Sequence, residues 1–268
     1  MAFCEDPALT YLNRLGYNVV RLPRVGLLPL EVLGCEGGRP PEPLGSLPTV
    51  WQSTIAAPPV TSGDVATING KSTSNIKIGF GLKILEGLLG AMGAAVPQVD
   101  LAYSRARSIK FEFKDPEIRK IDPLVVGNFL AQGDLNTSNP FVRHYMLSED
   151  TQAFVVTEVL LSMAIRVTAL DESEAAAKID VKAISDGLGA NVQVQATSGV
   201  EGDLLYRGKQ ALAFGYKAHE IVYSGKRWDV RRVEPSEETA LFGDEERSLA
   251  EAVLFEGRGF LGPASRRL

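Results

Sequence analysis

The sequence predicts an α+β fold with a twisted, mostly antiparallel central sheet and peripheral helices. Two observations predict it. Segments with the two-residue alternation of strands are interleaved with segments of helical period, and the two kinds do not alternate regularly. The length agrees, because 268 residues can bury a substantial core, and 45% apolar with 23% charged residues is ordinary for a globular protein.

A helix is predicted at the start of the chain, over residues 6–16. Asp6 suits the N-cap, Pro7 the first helical position and Gly16 the position just after the last turn. A strand over residues 17–22 is expected to follow and to end at Pro23, because proline cannot donate to a sheet ladder.

Most of the remaining body is predicted to be strand. The clearest case is residues 107–114, where Ile109, Phe111 and Phe113 alternate with polar residues. Further strands are expected at residues 153–168, 191–197, 211–223 and 227–233. The Gly- and Pro-rich residues 34–48 predict a loop, and residues 56–75, with an Asn69-Gly70 turn signal, a loop or a hairpin.

Two further helices are expected in the body. Asp122 and Pro123 open one that closes near Gly133, and the second covers residues 173–188. The apolar residues of the second helix share one face; they are Ala177, Val181, Ile184 and Leu188.

The composition changes after residue 233. Residues 234–247 hold six acids against one base, and a short helix is expected at residues 245–256. The sequence therefore divides into a body (1–233), an exposed acidic linker (234–247) and a small tail (248–268). The apolar side of the tail includes Leu249, Val253 and Leu254.

Residues 76–96 form an apolar, glycine-rich stretch that is too interrupted for an ordinary membrane span. Helical spacing aligns one apolar stripe on it: Ile78, Leu82, Leu85, Leu89, Met92 and Val96. Each glycine weakens a helix by about 1 kcal/mol relative to alanine. Small residues also permit close helix packing or a conformational change on lipid. Two interpretations stay open, a tightly packed core helix and a membrane-seeking segment.

Enzymatic and metal-binding signals are poor. The two histidines, His144 and His219, stand alone in segments expected to be sheet or its margins, and the two cysteines, Cys4 and Cys35, show no metal-ligand spacing. We therefore expect no enzyme, no catalytic residue, no metal and no cofactor. A net charge of −5 without a basic stripe argues against nucleic acid.

The compartment is expected to be reducing, since two cysteines make no disulfide framework. The start of the chain has Glu5 and Asp6 where a signal peptide carries positive charge, and no run of about 18 apolar residues follows anywhere. The resting protein is thus expected to be cytoplasmic. Cys4 is either an ordinary thiol near the terminus or a site of S-acylation, and Cys35 is expected to be an incidental thiol in the Gly/Pro loop.

An ordered set of short motifs resembles the bacterial gasdermins across nearly the whole chain. It opens with Phe3-Cys4-x-Asp6-Pro7 and Gly16-Tyr17-Asn18-Val19-Val20-Arg21-Leu22-Pro23-Arg24. It continues through Gly90-Ala91-Met92-Gly93, Asp100-Leu101-Ala102-Tyr103, Val126-Gly127-Asn128-Phe129-Leu130-Ala131, Thr157-Glu158-Val159-Leu160 and Phe214-Gly215. No single motif is decisive, but their order is fairly specific.

This resemblance implies a pore-forming effector of antiphage defence that is kept inactive by a short C-terminal tail. A partner protease, caspase-like or other and expected to be encoded nearby, would cut the tail away. The freed body would pass from a cytoplasmic monomer to an oligomer in the phospholipid of the inner membrane and lyse the cell. Cys4 matches the family's N-terminal palmitoylated cysteine.

The scissile bond does not carry over from the family, so the cleavage region is given only by its markers: Glu234, Phe242, Glu246 and Arg247. The membrane-interacting residues are expected in the stripe, from Ile78 to Met92. Two other functions stay open at this point. One is a soluble α+β lipid-binding protein with the tail as a lid, and the other is a hydrolase using Cys4 or Cys35 with a histidine.

Overall fold

The computed structural model describes residues 15–36, 42–65, 75–94, 99–148, 150–197, 202–224 and 227–232. The strands are β1 (Asn18–Arg24), β2 (Glu31–Glu36), β3 (Glu42–Ser46), β4 (Trp51–Ser53), β5 (Thr61–Asp64), β6 (Ile76–Lys77), β7 (Ser108–Lys114), β8 (Glu117–Lys120), β9 (Gly133–Leu135), β10 (Thr151–Leu170), β11 (Val192–Ala196), β12 (Asp203–Ser224) and β13 (Arg227–Arg232). The helices are α1 (Leu47–Val50), α2 (Ile78–Ala91), α3 (Val99–Ala102), α4 (Pro123–Ala131), α5 (Pro140–Leu147) and α6 (Val181–Leu188).

Eleven of the strands in the described ranges form one antiparallel sheet around a central pair, β10 and β12. The outer edge of β10 pairs in turn with β2, β8 and β7, and the outer edge of β12 pairs with β1, β11 and β13. The predicted α+β fold with a mostly antiparallel sheet is therefore confirmed.

The central strands are far longer than ordinary strands: β10 has 20 residues and β12 has 22, against about 5–6 in a typical strand. The predicted long strand over residues 153–168 is confirmed. The strand expected at 211–223 begins eight residues earlier, at Asp203. The extension contains a short apolar run, Leu204-Leu205-Tyr206, which is consistent with a strand and could have revealed it.

The helix predicted from Asp122 is confirmed, because the Asp122 carboxylate accepts the Leu124 N–H at 2.8 Å as its N-cap. The half-buried strand predicted at 107–114 is also confirmed, with Ile109 and Phe111 buried. The expected helix at 6–16 lies outside the described residues except for its last two. Of these, Gly16 has φ of +79°, the left-handed conformation that glycine favours.

The predicted end of the first strand at Pro23 is wrong, since β1 continues to Arg24. The register of β1 on β12 shifts between Val19 and Arg24, so the ladder is already interrupted where the proline stands. Proline is tolerated at such irregularities and on edge strands.

The loop predicted over residues 34–48 is wrong where it is described, because it holds the end of β2, all of β3 and the start of α1. Pairing of β2 with Thr151–Val155 of β10 overrides the glycine and proline content. Cys35 is consequently a buried core thiol on β2 and not a loop residue.

Within residues 56–75, Thr61–Asp64 form β5 on the edge of β8, and residues 66–74 with the expected turn lie outside the described ranges. The helix expected at 173–188 begins only at Val181. The Asp171 carboxylate accepts the Ser173 and Ala175 N–H groups, which closes a turn in place of the first helical residues.

His144 was expected in sheet or its margins but lies on α5, a helix that the sequence analysis missed. The helix is signalled by Asn139, whose side-chain oxygen accepts the Phe141 N–H at 2.9 Å, and by Pro140 at the first position. His219 lies on β12, as expected.

Candidate membrane-active region

One end of the sheet has one apolar and one polar face. We call it the far half: β7, β11, residues 164–170 of β10 and residues 203–208 of β12. Residues that pair directly across antiparallel strands lie on the same face. One cross-strand row is apolar: Val194, Tyr206, Ile165 and Phe113. The neighbouring row lies on the opposite face and is largely polar: Gln195, Leu205, Arg166 and Glu112.

The polar face of the far half is tied together by ion pairs. The Arg166 Nε donates to the Asp203 carboxylate at 2.9 Å, and Arg166 also lies 3.7 Å from Glu112. Thr168 donates to Asp203 as well, which is only 3% exposed. A buried carboxylate is tolerated here because a cation and a hydroxyl compensate its lost hydration.

The apolar face of the far half is covered by α2, α3 and α6, which bury it in one continuous core. The stripe predicted on residues 76–96 is confirmed from Ile78 to Met92 as the buried face of α2, and its last member, Val96, lies outside the described residues. Ile78 is half-buried, and Leu82, Leu85, Leu89 and Met92 are at most 7% exposed. Contact of these residues with a membrane stays a prediction, because in this structure they contact protein.

Two glycines bring α2 into close contact with the sheet. A Cβ atom at Gly81 would lie 2.4 Å from Ile109 Cγ1, and one at Gly208 would lie 2.9 Å from Met92 Cε. Both positions therefore exclude a larger side chain without displacement of a neighbour. Gly79 and Gly90 have no neighbouring atom within 4 Å, so close packing explains only part of the glycine content.

Polar contacts also fasten this cover. Asn191 donates to the Gly93 carbonyl, just beyond the end of α2, at 3.1 Å. Beneath it the Tyr103 and Tyr206 hydroxyls are 2.7 Å apart. Burial raises the pKa of both phenols, so both remain protonated and hydrogen-bonded at neutral pH.

The other end of the sheet, the near half, contains residues 151–161 of β10 and is buried on both faces along most of its length, although Gln152 and Glu158 are half-buried. One face packs with Phe154, Val156 and Tyr216, and the other with Val155, Trp51 and Phe129 from the side of α1 and α4. Among the described strands, those of the far half therefore have the alternation of a sheet that can place one face in lipid and the other in water.

The two halves are separated by a level of the sheet at which the strand pairing is irregular, which we call the crease. On β10 the register shifts between Ser162 and Ala164, whose partners on β12 are Leu212 and Arg207. At the same level β7 gives way to β8 at Asp115, which has φ of +49°. Because three neighbouring strands are irregular at one level, the halves are joined by fewer ladder hydrogen bonds than a continuous sheet would have.

The other predicted site residues lie outside the described ranges: Cys4, Glu234, Phe242, Glu246, Arg247, Leu249, Val253 and Leu254. The structure therefore leaves acylation, cleavage and the tail as predictions. Sequence reasoning missed the crease and the partner strands of the stripe, which depend on the register of segments distant in sequence.

The described residues do not favour the hydrolase alternative. Burial raises the pKa of the Cys35 thiol to about 12, so the nucleophilic thiolate is scarce at neutral pH. No cluster of three or more His, Cys, Asp or Glu in the described ranges is arranged to hold a metal ion. Nor does any helix in those ranges have the length and apolar character needed to span a membrane.

Comparison with known proteins places this geometry in a family. Residues 20–233 match the model of the Bacterial Gasdermin Family. The chain is 36% identical over 223 residues to a gasdermin from Vitiosangium, covering 82% of this chain and 83% of that one. It is 31% identical over 234 residues to a gasdermin from Lysobacter enzymogenes, covering 86% and 85%.

A solved structure agrees in fold. The bacterial gasdermin from Bradyrhizobium tropiciagri superimposes with a TM-score of 0.63 at 17% identity, over 85% of this chain and 92% of that one. At that identity the likeness concerns the fold alone.

Proposed function

The chain belongs to the bacterial gasdermin family of pore-forming proteins, and we propose that it forms pores with the far half of its sheet after proteolytic cleavage within residues 234–247. In the resting protein α2 covers the apolar face. Loss of the tail, residues 248–268, lets α2 leave, and the far half then joins other copies in a membrane barrel.

The observation that carries this proposal is the shared alternation of four adjacent strands in the far half. In lipid every backbone N–H and C=O must be satisfied internally, which restricts spanning sheets to closed barrels. Barrel strands alternate apolar residues toward lipid with polar residues toward a wet lumen. The row ending at Phe113 supplies the apolar residues that would face lipid. The row ending at Glu112 supplies the polar residues that would face the lumen.

Four strands per copy are also compatible with closing a ring of copies into an antiparallel barrel. Each strand in the order β11, β12, β10, β7 is antiparallel to the next, so β11 and β7 run in opposite directions. When β11 of one copy lies beside β7 of the next copy, that pair is antiparallel as well. Copies could therefore add around a ring without a parallel mismatch, which supports a homo-oligomer as the active form.

The burial of α2 supports an inactive resting state. Leu85 and Leu89 are fully buried, so a free apolar sheet face is absent from the described part of the chain. A ratio of about 1:99 in favour of the covered state corresponds to only about 2.7 kcal/mol, which a small tail can contribute. We place the resting protein in the cytoplasm and the active oligomer at the inner membrane, where lysis would serve antiphage defence.

Acylation of Cys4 belongs to the same proposal. An acyl chain adds about 0.8 kcal/mol of membrane affinity for each buried CH₂ group, which would help to hold the freed body on lipid. Intact-protein mass spectrometry before and after hydroxylamine tests it. A labile C16 mass that is absent from Cys4→Ala is expected, and protein from a native-like host without such a mass would contradict it.

The proposed function is tested by an engineered protease site within residues 234–247 of the full chain. Liposomes of bacterial phospholipid with a trapped dye should leak only after cleavage, and mass spectrometry should show the cut. Binding to liposomes without leakage would favour the lipid-carrier alternative. If complete cleavage produces neither liposome binding nor leakage, the pore-forming and the lipid-carrier functions are both contradicted.

A further inference from the structure

The described chain begins and ends at one place on the sheet. Both β1 and β13 pair with the outer edge of β12 and lie in line, because Asn18 is opposite Tyr216 and Arg232 is opposite His219. The gap between the two strands is therefore about two residues long. A Cβ atom at Gly16 would lie 3.7 Å from Arg232 Nη2. The two ends of the described chain therefore lie close together, at Gly16 and Arg232.

Basic side chains surround this gap on one face. Lys120, Glu158 and Lys217 are direct cross-strand neighbours on β8, β10 and β12. His219 and Arg232 are opposite one another in the next row. We call Lys120, Lys217 and Arg232, with Glu158 between them, the exit cluster.

Of the three cations in the exit cluster, only Lys217 has a carboxylate partner among the described residues. The Lys217 ammonium lies 2.9 Å from Glu158 and 4.2 Å from the centre of the Tyr17 ring. No carboxylate of the described residues lies within ion-pair distance of Lys120 or Arg232. Both side chains are exposed. Among the described residues, two positive charges of the cluster are therefore uncompensated.

The environment of His219 agrees with this excess of positive charge. The pKa of His219 is lowered, first by partial burial and then by the Arg232 cation; Glu158 opposes this change and Lys217 adds to it. Burial disfavours the protonated histidine most, and the cations that add to this effect are the ones that would attract an external carboxylate.

We infer that the exit cluster is the docking surface for the acidic linker of this same chain, whose glutamates lie across Arg232, Lys217 and Lys120 and shield the linker from proteases. This inference rests on the proposed function in that residues 234–247 are the segment whose cleavage activates the protein.

The chain length and charge fit this occupant. Residues 234–246 contain six acids: Glu234, Glu237, Glu238, Asp244, Glu245 and Glu246. Glu234 is two residues and Glu238 six residues beyond Arg232, so they reach about 7 Å and about 20 Å when extended. From the line of β13, Lys217 is one strand spacing away and Lys120 three, or about 5 Å and about 14 Å.

Limited proteolysis tests the inference on the full chain without any membrane. A glutamyl endopeptidase cuts after the linker glutamates, and mass spectrometry follows the fragments. At about 0.1 M salt the wild-type linker should be cut about fivefold more slowly than at about 1 M salt, where exposed charges are screened. A free peptide of residues 233–250 corrects for the effect of salt on the enzyme.

Variants on the body leave every cleavage site intact. Arg232→Gln and the double variant Lys120→Gln/Arg232→Gln should be cut rapidly at both salt concentrations. Lys110→Gln, with the same charge change on the polar face of the far half, should behave as the wild type. Arg232 and Lys120 are exposed, so these changes should leave the melting temperature unaltered. Equal cutting of wild type and Arg232→Gln at low salt would overturn the inference.

Carbodiimide cross-linking identifies the occupant. At low salt it should join Lys120 or Lys217 to glutamates of residues 234–246, and the products should disappear at high salt. Products that instead join these lysines to Glu5 or Asp6 would assign the cluster to the N-terminal segment and overturn the inference. Because neither assay contains lipid, their failure would leave pore formation untouched, and loss of dye release would leave the docking untouched.

Discussion

Residues 151–161 of β10, apart from the half-buried Gln152 and Glu158, are buried on both faces, whereas residues 164–170 of the same strand are buried on one face and polar on the other. The near half is held by cores on two sides, and moving it would expose both. The far half needs only one cover, α2 with its neighbours, and its second face is already compatible with water. A long strand can thus combine a fixed part and a convertible part when a crease interrupts its ladder.

The largest effect is expected from a disulfide that locks the cover onto the far half. In Met92→Cys/Gly208→Cys the two Cβ atoms would be about 3.1 Å apart, slightly closer than the usual 3.5–4.5 Å, so a small shift admits the bond. The oxidised, cleaved protein should release no dye because α2 cannot leave, and reductant should restore release.

The matched control is a disulfide that cross-links two strands of the near half. Leu160 lies directly opposite Gly215, and a Cβ atom at Gly215 would be 3.7 Å from the Leu160 Cβ. A disulfide in Leu160→Cys/Gly215→Cys should leave dye release intact, since the near half stays folded. Equal inhibition by both disulfides would show that the whole sheet rearranges, and the comparison of the halves would fail.

Deleting one leucine from each half should give similar losses of stability with different consequences. Leu89 on α2 and Leu161 in the near half are both buried. Each change to alanine should lower the free energy of unfolding by about 2–5 kcal/mol, measured by denaturant titration. Only Leu89→Ala should make the uncleaved protein leak dye, because only it weakens the cover. Leakage from uncleaved Leu161→Ala alone would reverse this assignment.

The sequence predicted the stripe on α2 because helical period depends only on local spacing. It also predicted the strand at 107–114 and the long strand β10 for the same reason. It could not predict which face of which strand the stripe covers, since the pairing of Tyr206 with Ile165 joins residues far apart in the chain. The loop predicted around Cys35 failed because pairing with β10 outweighed local composition.

A charge placed on alternate residues of β11 should separate the two faces. Val194 is half-buried on the apolar face, and Gln193 is exposed on the polar face. Val194→Lys should strongly reduce dye release after cleavage, because lysine on a lipid-facing position of a barrel costs about 2–4 kcal/mol at the bilayer midplane. Gln193→Lys should release dye at the wild-type rate. Equal release by both would place β11 outside the barrel.

The smallest effect is expected from pH. The pKa of His219 is lowered in the folded protein, so the unfolded chain takes up a proton first as pH falls below about 6.5. The free energy of unfolding should therefore decrease from pH 7.5 to pH 5.5, and His219→Gln should decrease less. Denaturant titration at both pH values measures the difference. An identical decrease in both proteins would show that carboxylates alone cause it.

The most direct measurement is the location of far-half side chains after activation. Single cysteines at positions 194, 193 and 152, in a chain with Cys4 and Cys35 replaced by alanine that still releases dye, carry an environment-sensitive fluorophore. After cleavage on liposomes, nitroxide-bearing lipid should quench the label at 194. A water-soluble quencher should reach the labels at 193 and at 152 in the near half. Equal lipid quenching at 193 and 194, or none at 194 in vesicles that leak, would contradict the account.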